Sequence, residues 1–232
     1  IPNKNNDDLN RISNLIPTYI LFGARRVALY EKKIFNSAFL INKDGKIVDF
    51  YDKSQLVPFG EYVPLGNILS KFSFLNESSD FPLGFSRGRK KNIIDYKEIP
   101  SFFIQICYES IFTNFSGNFR SNKKNGPKWI VNMTNDAWFG NFNGPHQHLV
   151  LTRMRAIEQG IPIIRVANTG FSAVINHNGD IVRYLDLNID GVIDTNLPNY
   201  LKYTFYNKLG TNKVNFTLII FMLTIILTLS KR

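Results

Sequence analysis

The chain has 232 residues, 44% hydrophobic and 14% aromatic, and 28 Lys and Arg against 18 Asp and Glu give it a net charge of +10. That composition excludes a disordered chain and leaves room for a sizeable core in one α/β domain, with or without an appendage. A single cysteine excludes an internal disulfide and a cysteine-cluster metal site, and the scattered basic charge carries no zinc-finger spacing or RRM signature, so nucleic-acid binding is not expected.

In chain order, residues 1–16 read as polar helix and loop, and TYILFGARRV (18–27) as a buried strand leading to a loop. SAFLINKDGKIVDFYDK (37–53) reads as two strands around a turn at Lys43-Asp44-Gly45. LVPFGEYVPLG (56–66), with two prolines and two glycines, reads as an ordered loop. Residues 70–98 form a Ser-, Gly- and Lys-rich excursion, and SFFIQI (101–106) is a buried strand. KWIVNMTND (128–136) is a further strand ending in polar residues. GPHQHLVLTRMRAIEQG (144–160) is a helix opened by Pro145 and closed by Gly160. IPIIRVAN (161–168) is a short strand, and FSAVINHNGDIVRYLD (171–186) a hairpin turning at Asn178-Gly179. A polar linker over 196–213 precedes an uncharged stretch from Val214 to Ser230 that is near the lower limit for crossing a hydrocarbon core of about 30 Å. Uniform apolarity and basic flanks favour a membrane helix there over a buried core helix, while lysines on both sides leave its orientation open. Strands alternating with helices and hairpins indicate a layered α/β fold.

Cys107 stands where a buried strand ends and a helix is expected to begin. A thiol there can be activated by a nearby cation or a helix N-terminus, and free backbone N–H groups at such a turn can hold an oxyanion. Most lone cysteines are nevertheless buried and inert. His146 and His148 form an H-x-H pair, but a metal reading lacks a third ligand, and local hydrogen bonding at a helix start accounts for both. Lys53 closes a strand just before the stiff loop that bears Glu61; beside a cysteine it would favour the thiolate, and by itself it is a solvated surface charge.

Three stretches, YDKSQLVPFGEYVPL (51–65), ICYESIF (106–112) and NMTNDAWFGNFNGPHQHLVLTRMRAIEQGIPIIRVANTGFSAVI (132–175), together with FSRG (85–88), resemble the nitrilase-like domain of the apolipoprotein N-acyltransferase family. The resemblance runs nearly end to end, and the Val-Pro-Phe-Gly-Glu run is its most specific element. It implies an αββα sandwich over residues 1–195, a linker over 196–213 and one C-terminal transmembrane helix over 214–230. It also implies a Glu–Lys–Cys triad in which Lys53 is the lysine and Cys107 the nucleophile. Glu61, Tyr108 and Glu109 match further residues the family needs for activity. The implied reaction takes an acyl chain from a phospholipid to the N-terminal amine of a diacylglyceryl-cysteine apolipoprotein through a thioester. Its implied location is the bacterial inner membrane, with the catalytic part on the periplasmic side and no cofactor or metal.

The family's triad glutamate lies in a W-P-E-x-x-I-P motif of which this chain begins at Ile1-Pro2. That glutamate would fall three residues ahead of Ile1, so residues 1–232 by themselves are expected to be inactive. The alternatives are a soluble nitrilase-type amidase with the same triad, and a non-catalytic remnant that binds lipid or partners.

Overall fold

A computed structural model describes residues 11, 18–64, 84–89, 92–113, 126–201 and 203–229. Apart from Arg11, the polar helix and loop expected over 1–16 lie outside the described residues, as do Lys231 and Arg232. The chain divides into two compact units, Ile1–Ile94 with Ile104–Glu109, and Asp95–Phe103 with Ser110–Arg232.

In the first unit, strands β1 (Ile20–Ala28), β2 (Lys33–Ile41) and β3 (Ile47–Asp52) form an antiparallel sheet in chain order. The β2–β3 turn forms because Asn42 Oδ1 accepts from the Asp44 and Lys46 N–H groups, while Gly45 takes a φ of 74° that side chains rarely adopt. Central strand β2 is buried on both faces over Ser37–Ile41, whereas β1, expected as buried, is a half-exposed edge strand. Arg26 on β1 reaches across β2 to Asp52 on β3 with two hydrogen bonds of 2.9 and 2.6 Å, and its guanidinium lies over the Phe35 and Phe50 rings. Ser37 donates to the same carboxylate at 2.6 Å, so the end of β3 is pinned just before Lys53.

A six-stranded sheet runs in the order β4 (Ile93–Tyr96), β5 (Ile99–Ile106), β6 (Trp129–Thr134), β7 (Ile163–Ala167), β8 (Ser172–Ile175), β9 (Ile181–Leu185). β4 lies inside the stretch read as a Ser-, Gly- and Lys-rich excursion; its four residues pair beside the mostly apolar β5, which supplies what so short a run lacks by itself. β6 and β7 are parallel, with helix α1 (Asn143–Gln159) as their crossover, and β7, β8 and β9 continue antiparallel. Gly160 ends α1 with a φ of 65°. The β8–β9 turn repeats the device of the first hairpin: Asn176 Oδ1 accepts from the Asn178 and Asp180 N–H groups, and Gly179 has a φ of 81°. The core of this second unit contains Phe102, Phe103, Ile130, Leu149, Ala156, Ile163 and Val174.

Helix α2 (Phe205–Leu229) begins inside the stretch expected to be a linker. Its base is fastened to the end of α1: Asn207 donates to the Gln159 carbonyl at 2.8 Å, and Leu201 N–H to the Gly160 carbonyl at 2.8 Å. Among the described residues no helix is long and apolar enough to cross a membrane. The exposed side chains described without interruption, 215–229, cover about 22 Å of helix at about 1.5 Å per residue. The transmembrane helix expected over 214–230 is therefore not shown by the structure.

Candidate active site

β5 ends at Ile106, and the chain turns at once into a 3-10 turn, Cys107–Ile111, in place of the expected helix start. Cys107 makes this turn with a φ of 52°. A non-glycine residue in the left-handed region is uncommon and persists where its surroundings hold it, often at functional sites. The thiol is half-buried.

Glu109, two residues on, is fully buried. Its Oε2 accepts from the Ile106 N–H at 2.8 Å, and its Oε1 accepts from the N–H groups of Ser54 and Gln55 at 2.8 and 3.0 Å and from the Tyr51 hydroxyl at 2.8 Å. One carboxylate thus ties the Cys107 turn to the residues that flank Lys53. Burial pushes its pKa above the ordinary glutamate value, partly offset by the N–H groups of Gln55 and Ile106. Burial, reinforced by the Glu109 charge, likewise raises the Tyr51 phenol far above its usual value. Tyr108, between Cys107 and Glu109, is half-buried.

Lys53 has no exposed surface. Its backbone is held on both sides, donating to the Asn36 carbonyl at 2.8 Å and accepting from the Gly88 N–H at 2.8 Å. Its ammonium donates to both oxygens of Glu61, at 2.8 and 2.7 Å. Glu61 also accepts from the Val57 N–H at 2.8 Å and the Asn36 side-chain amide at 3.2 Å. The Pro- and Gly-rich loop is stiff because it closes on itself. Phe59 N–H donates to the Tyr62 carbonyl and Glu61 N–H to the Val57 carbonyl, both at 2.8 Å, with Phe59 at a φ of 61°. Gly88 belongs to the FSRG stretch, and its glycine is required by space: a Cβ there would stand 2.1 Å from the Asp52 carbonyl oxygen.

The structure therefore pairs Lys53 with Glu61 and joins Glu109 to the Cys107 turn. Sequence reasoning did not single out Tyr51 and Ser54, although both stand beside the lysine in YDKS. It also read His148 only as half of H-x-H. His148 is buried, with Nδ1 2.8 Å from Asp136 Oδ1 and Nε2 2.9 Å from the Ser110 hydroxyl, so both nitrogens are engaged within the protein. His146 is exposed and lies against the Phe171 ring. Among the described residues no group of three His, Cys, Asp or Glu side chains is arranged to hold a metal.

The carbon-nitrogen hydrolase family pattern matches residues 9–203. The apolipoprotein N-acyltransferase of Rhodopseudomonas palustris is 40% identical over 217 residues, covering 88% of this chain and 38% of that protein. That of Bradyrhizobium diazoefficiens is 37% identical over 211 residues with the same coverage, and that of Brucella suis 41% identical over 169 residues, covering 73% and 31%. The chain thus spans between 31% and 38% of the length of these curated relatives. Among solved structures, Saccharomyces cerevisiae Nit3, a member of branch 10 of the nitrilase superfamily, superposes with a TM-score of 0.58 at 19% identity, covering 81% of this chain and 64% of that one. An amidase from Nesterenkonia sp. superposes with a TM-score of 0.56 at 16% identity, covering 78% and 62%. At these identities the structural likeness shows the fold alone, a nitrilase-like α/β fold. With a family pattern covering most of its length and this fold, the chain belongs to the carbon-nitrogen hydrolase family.

Proposed function

We propose that this chain is the catalytic part of an enzyme that transfers an acyl group from a phospholipid to the N-terminal amine of a diacylglyceryl-cysteine apolipoprotein. The observation that carries the reading is the strained Cys107 turn, tied by Glu109 to the residues around a fully buried Lys53. Its setting is a chain 37–41% identical to relatives named apolipoprotein N-acyltransferase.

The chemistry divides one acyl exchange into two steps. A glutamate base takes the Cys107 proton, and the thiolate attacks the ester carbonyl. The tetrahedral intermediate collapses to a thioester as the lysophospholipid alkoxide leaves with a proton. The lipoprotein amine then attacks the thioester, gives up a proton to the base and releases the thiol. Lys53 and a backbone N–H after Cys107 stabilise the oxyanion in each step. The Glu61 pairing holds the Lys53 side chain in place; Glu109 and Tyr108 shape the turn.

Both substrates are lipid-anchored, so a tethered enzyme meets them at raised effective concentration. The uncharged stretch 214–230 supplies that tether; up to Leu229 it belongs to α2, whose described side chains from Asn215 to Leu229 are exposed. The location that goes with this reading is the bacterial inner membrane, with the catalytic part on the periplasmic side.

The test uses the protein expressed from its complete reading frame, incubated with phosphatidylethanolamine and read by mass. A hydroxylamine-labile acyl adduct on the Cys107 peptide is expected, absent in Cys107→Ser and discharged by an apolipoprotein amine. An adduct that survives the substitution, or hydrolysis of small amides with no phospholipid-derived adduct, overturns the reading.

A further inference from the structure

A left-handed, non-glycine nucleophile must be held from outside its own turn. Glu109 provides one such hold. Ser110, the next residue of the same five-residue turn, provides another: its hydroxyl is fully buried, 2.9 Å from His148 Nε2 on α1. The other ring nitrogen, Nδ1, is 2.8 Å from Asp136 Oδ1. Asp136 accepts from Arg165 at 2.6 Å and from the Thr134 hydroxyl at 2.9 Å, and all of these groups are buried. Gly170 makes room for that carboxylate, since a Cβ there would lie 2.5 Å from Asp136 Oδ2. Burial pushes the Asp136 carboxyl up, but the His148 hydrogen bond and the Arg165 charge outweigh it and hold the group below the ordinary aspartate value. A carboxylate at Nδ1 places the imidazole proton there and leaves Nε2 as an acceptor for the Ser110 hydroxyl.

We propose that Ser110 and His148 are positioning residues that hold the Cys107 turn in its left-handed conformation, with Asp136 and Arg165 fixing the imidazole. Neither touches substrate; both act through the backbone of the turn. The proposal rests on the acyl-transfer reading only for the natural reaction, because the conformation of the turn also governs how Cys107 meets any electrophile.

The experiment compares wild type, Ser110→Ala, Ser110→Thr, His148→Asn and the Ser110→Ala/His148→Asn pair in the protein from its complete reading frame. Two rates are read at the Cys107 peptide by mass: acyl-adduct formation from phosphatidylethanolamine and alkylation by iodoacetamide. Asparagine at 148 keeps a donor where Nδ1 stands and loses the acceptor for Ser110. Ser110→Ala and His148→Asn are expected to slow both rates by about tenfold, with KM for the phospholipid unchanged. The pair should be no slower than either single variant, and Ser110→Thr, which keeps the hydroxyl, should stay near wild type. Wild-type rates in Ser110→Ala, or a Ser110→Thr as slow as Ser110→Ala, overturn the proposal. If Ser110→Ala does not fold, His148→Asn decides in its place, wild-type rates again overturning it. A wild-type protein that takes no acyl group overturns the acyl-transfer reading instead, and the alkylation rates still decide this proposal.

Discussion

The Lys53–Glu61 pair allows a sharp energetic test. Lys53 has a fully buried side chain, Glu61 is 11% exposed, and the two meet at 2.7 Å. At an effective dielectric constant of about 20 their attraction is about 6 kcal/mol, most of it cancelled by the cost of taking both charges out of water. Removing one partner exposes that cost, typically about 3–5 kcal/mol. The two removals are not equivalent. Lys53→Met leaves Glu61 with the Val57 N–H and the Asn36 amide, so its loss belongs at the lower end of the range. Glu61→Gln leaves an ammonium with no exposed surface beside a neutral amide, so its loss belongs at the upper end. The double variant removes both charges and should recover about 2–3 kcal/mol of the sum. Urea unfolding of the four proteins, with m-values compared to check that the same surface is exposed, gives the coupling directly. Additive losses, with a coupling below about 0.5 kcal/mol, would refute the claim that the Lys53–Glu61 contact offsets the burial of the two groups.

Three further outcomes follow from the same geometry. Gly88→Ala drives a methyl into the Asp52 carbonyl and disturbs the Gly88–Lys53 hydrogen bond, so a loss of about 2–4 kcal/mol in unfolding free energy, together with loss of acyl transfer, is expected. Because Cys107 has a φ of 52°, Cys107→Gly should be more stable than Cys107→Ala by about 1 kcal/mol, the reverse of the usual order; thermal unfolding of the two measures it, and a more stable alanine variant would contradict the strained turn. Glu109 has a raised pKa in the folded chain, so the stability it contributes is complete below the ordinary glutamate value and is lost as pH rises through its folded pKa. Thermal unfolding against pH should therefore fall over that window in wild type and flatten in Glu109→Gln, and a wild-type curve that rises there would contradict the assignment.

Much of the framework was legible because it is written locally. Short apolar runs marked β2, β5 and β7, and both hairpin turns were visible as glycines after a short polar run. Gly160 marked the end of α1. The strand β4 was not legible, since four residues in a polar stretch become a strand only when β5 stands beside them. β1 misled for the opposite reason: its apolar composition indicated burial, but as an edge strand it has a neighbour on one side only. The expected helix start after Cys107 is a 3-10 turn because Glu109 captures the Ile106 N–H only three residues back.

The sequence by itself determined the identities of the chemical groups, the strand that ends at Cys107, the stiffness of the loop bearing Glu61 and the resemblance that links them. These depend on φ preferences and hydrophobic period, which act over a few residues. Only the tertiary structure decided which groups meet. Tyr51 reaches Glu109 across 58 residues of chain, Ser110 meets His148 across 38, and Arg165 meets Asp136 across 29. No local preference encodes such pairings. They are set by which strand ends and turns each folded unit brings together, and by the cost of leaving any of those buried polar groups unmatched.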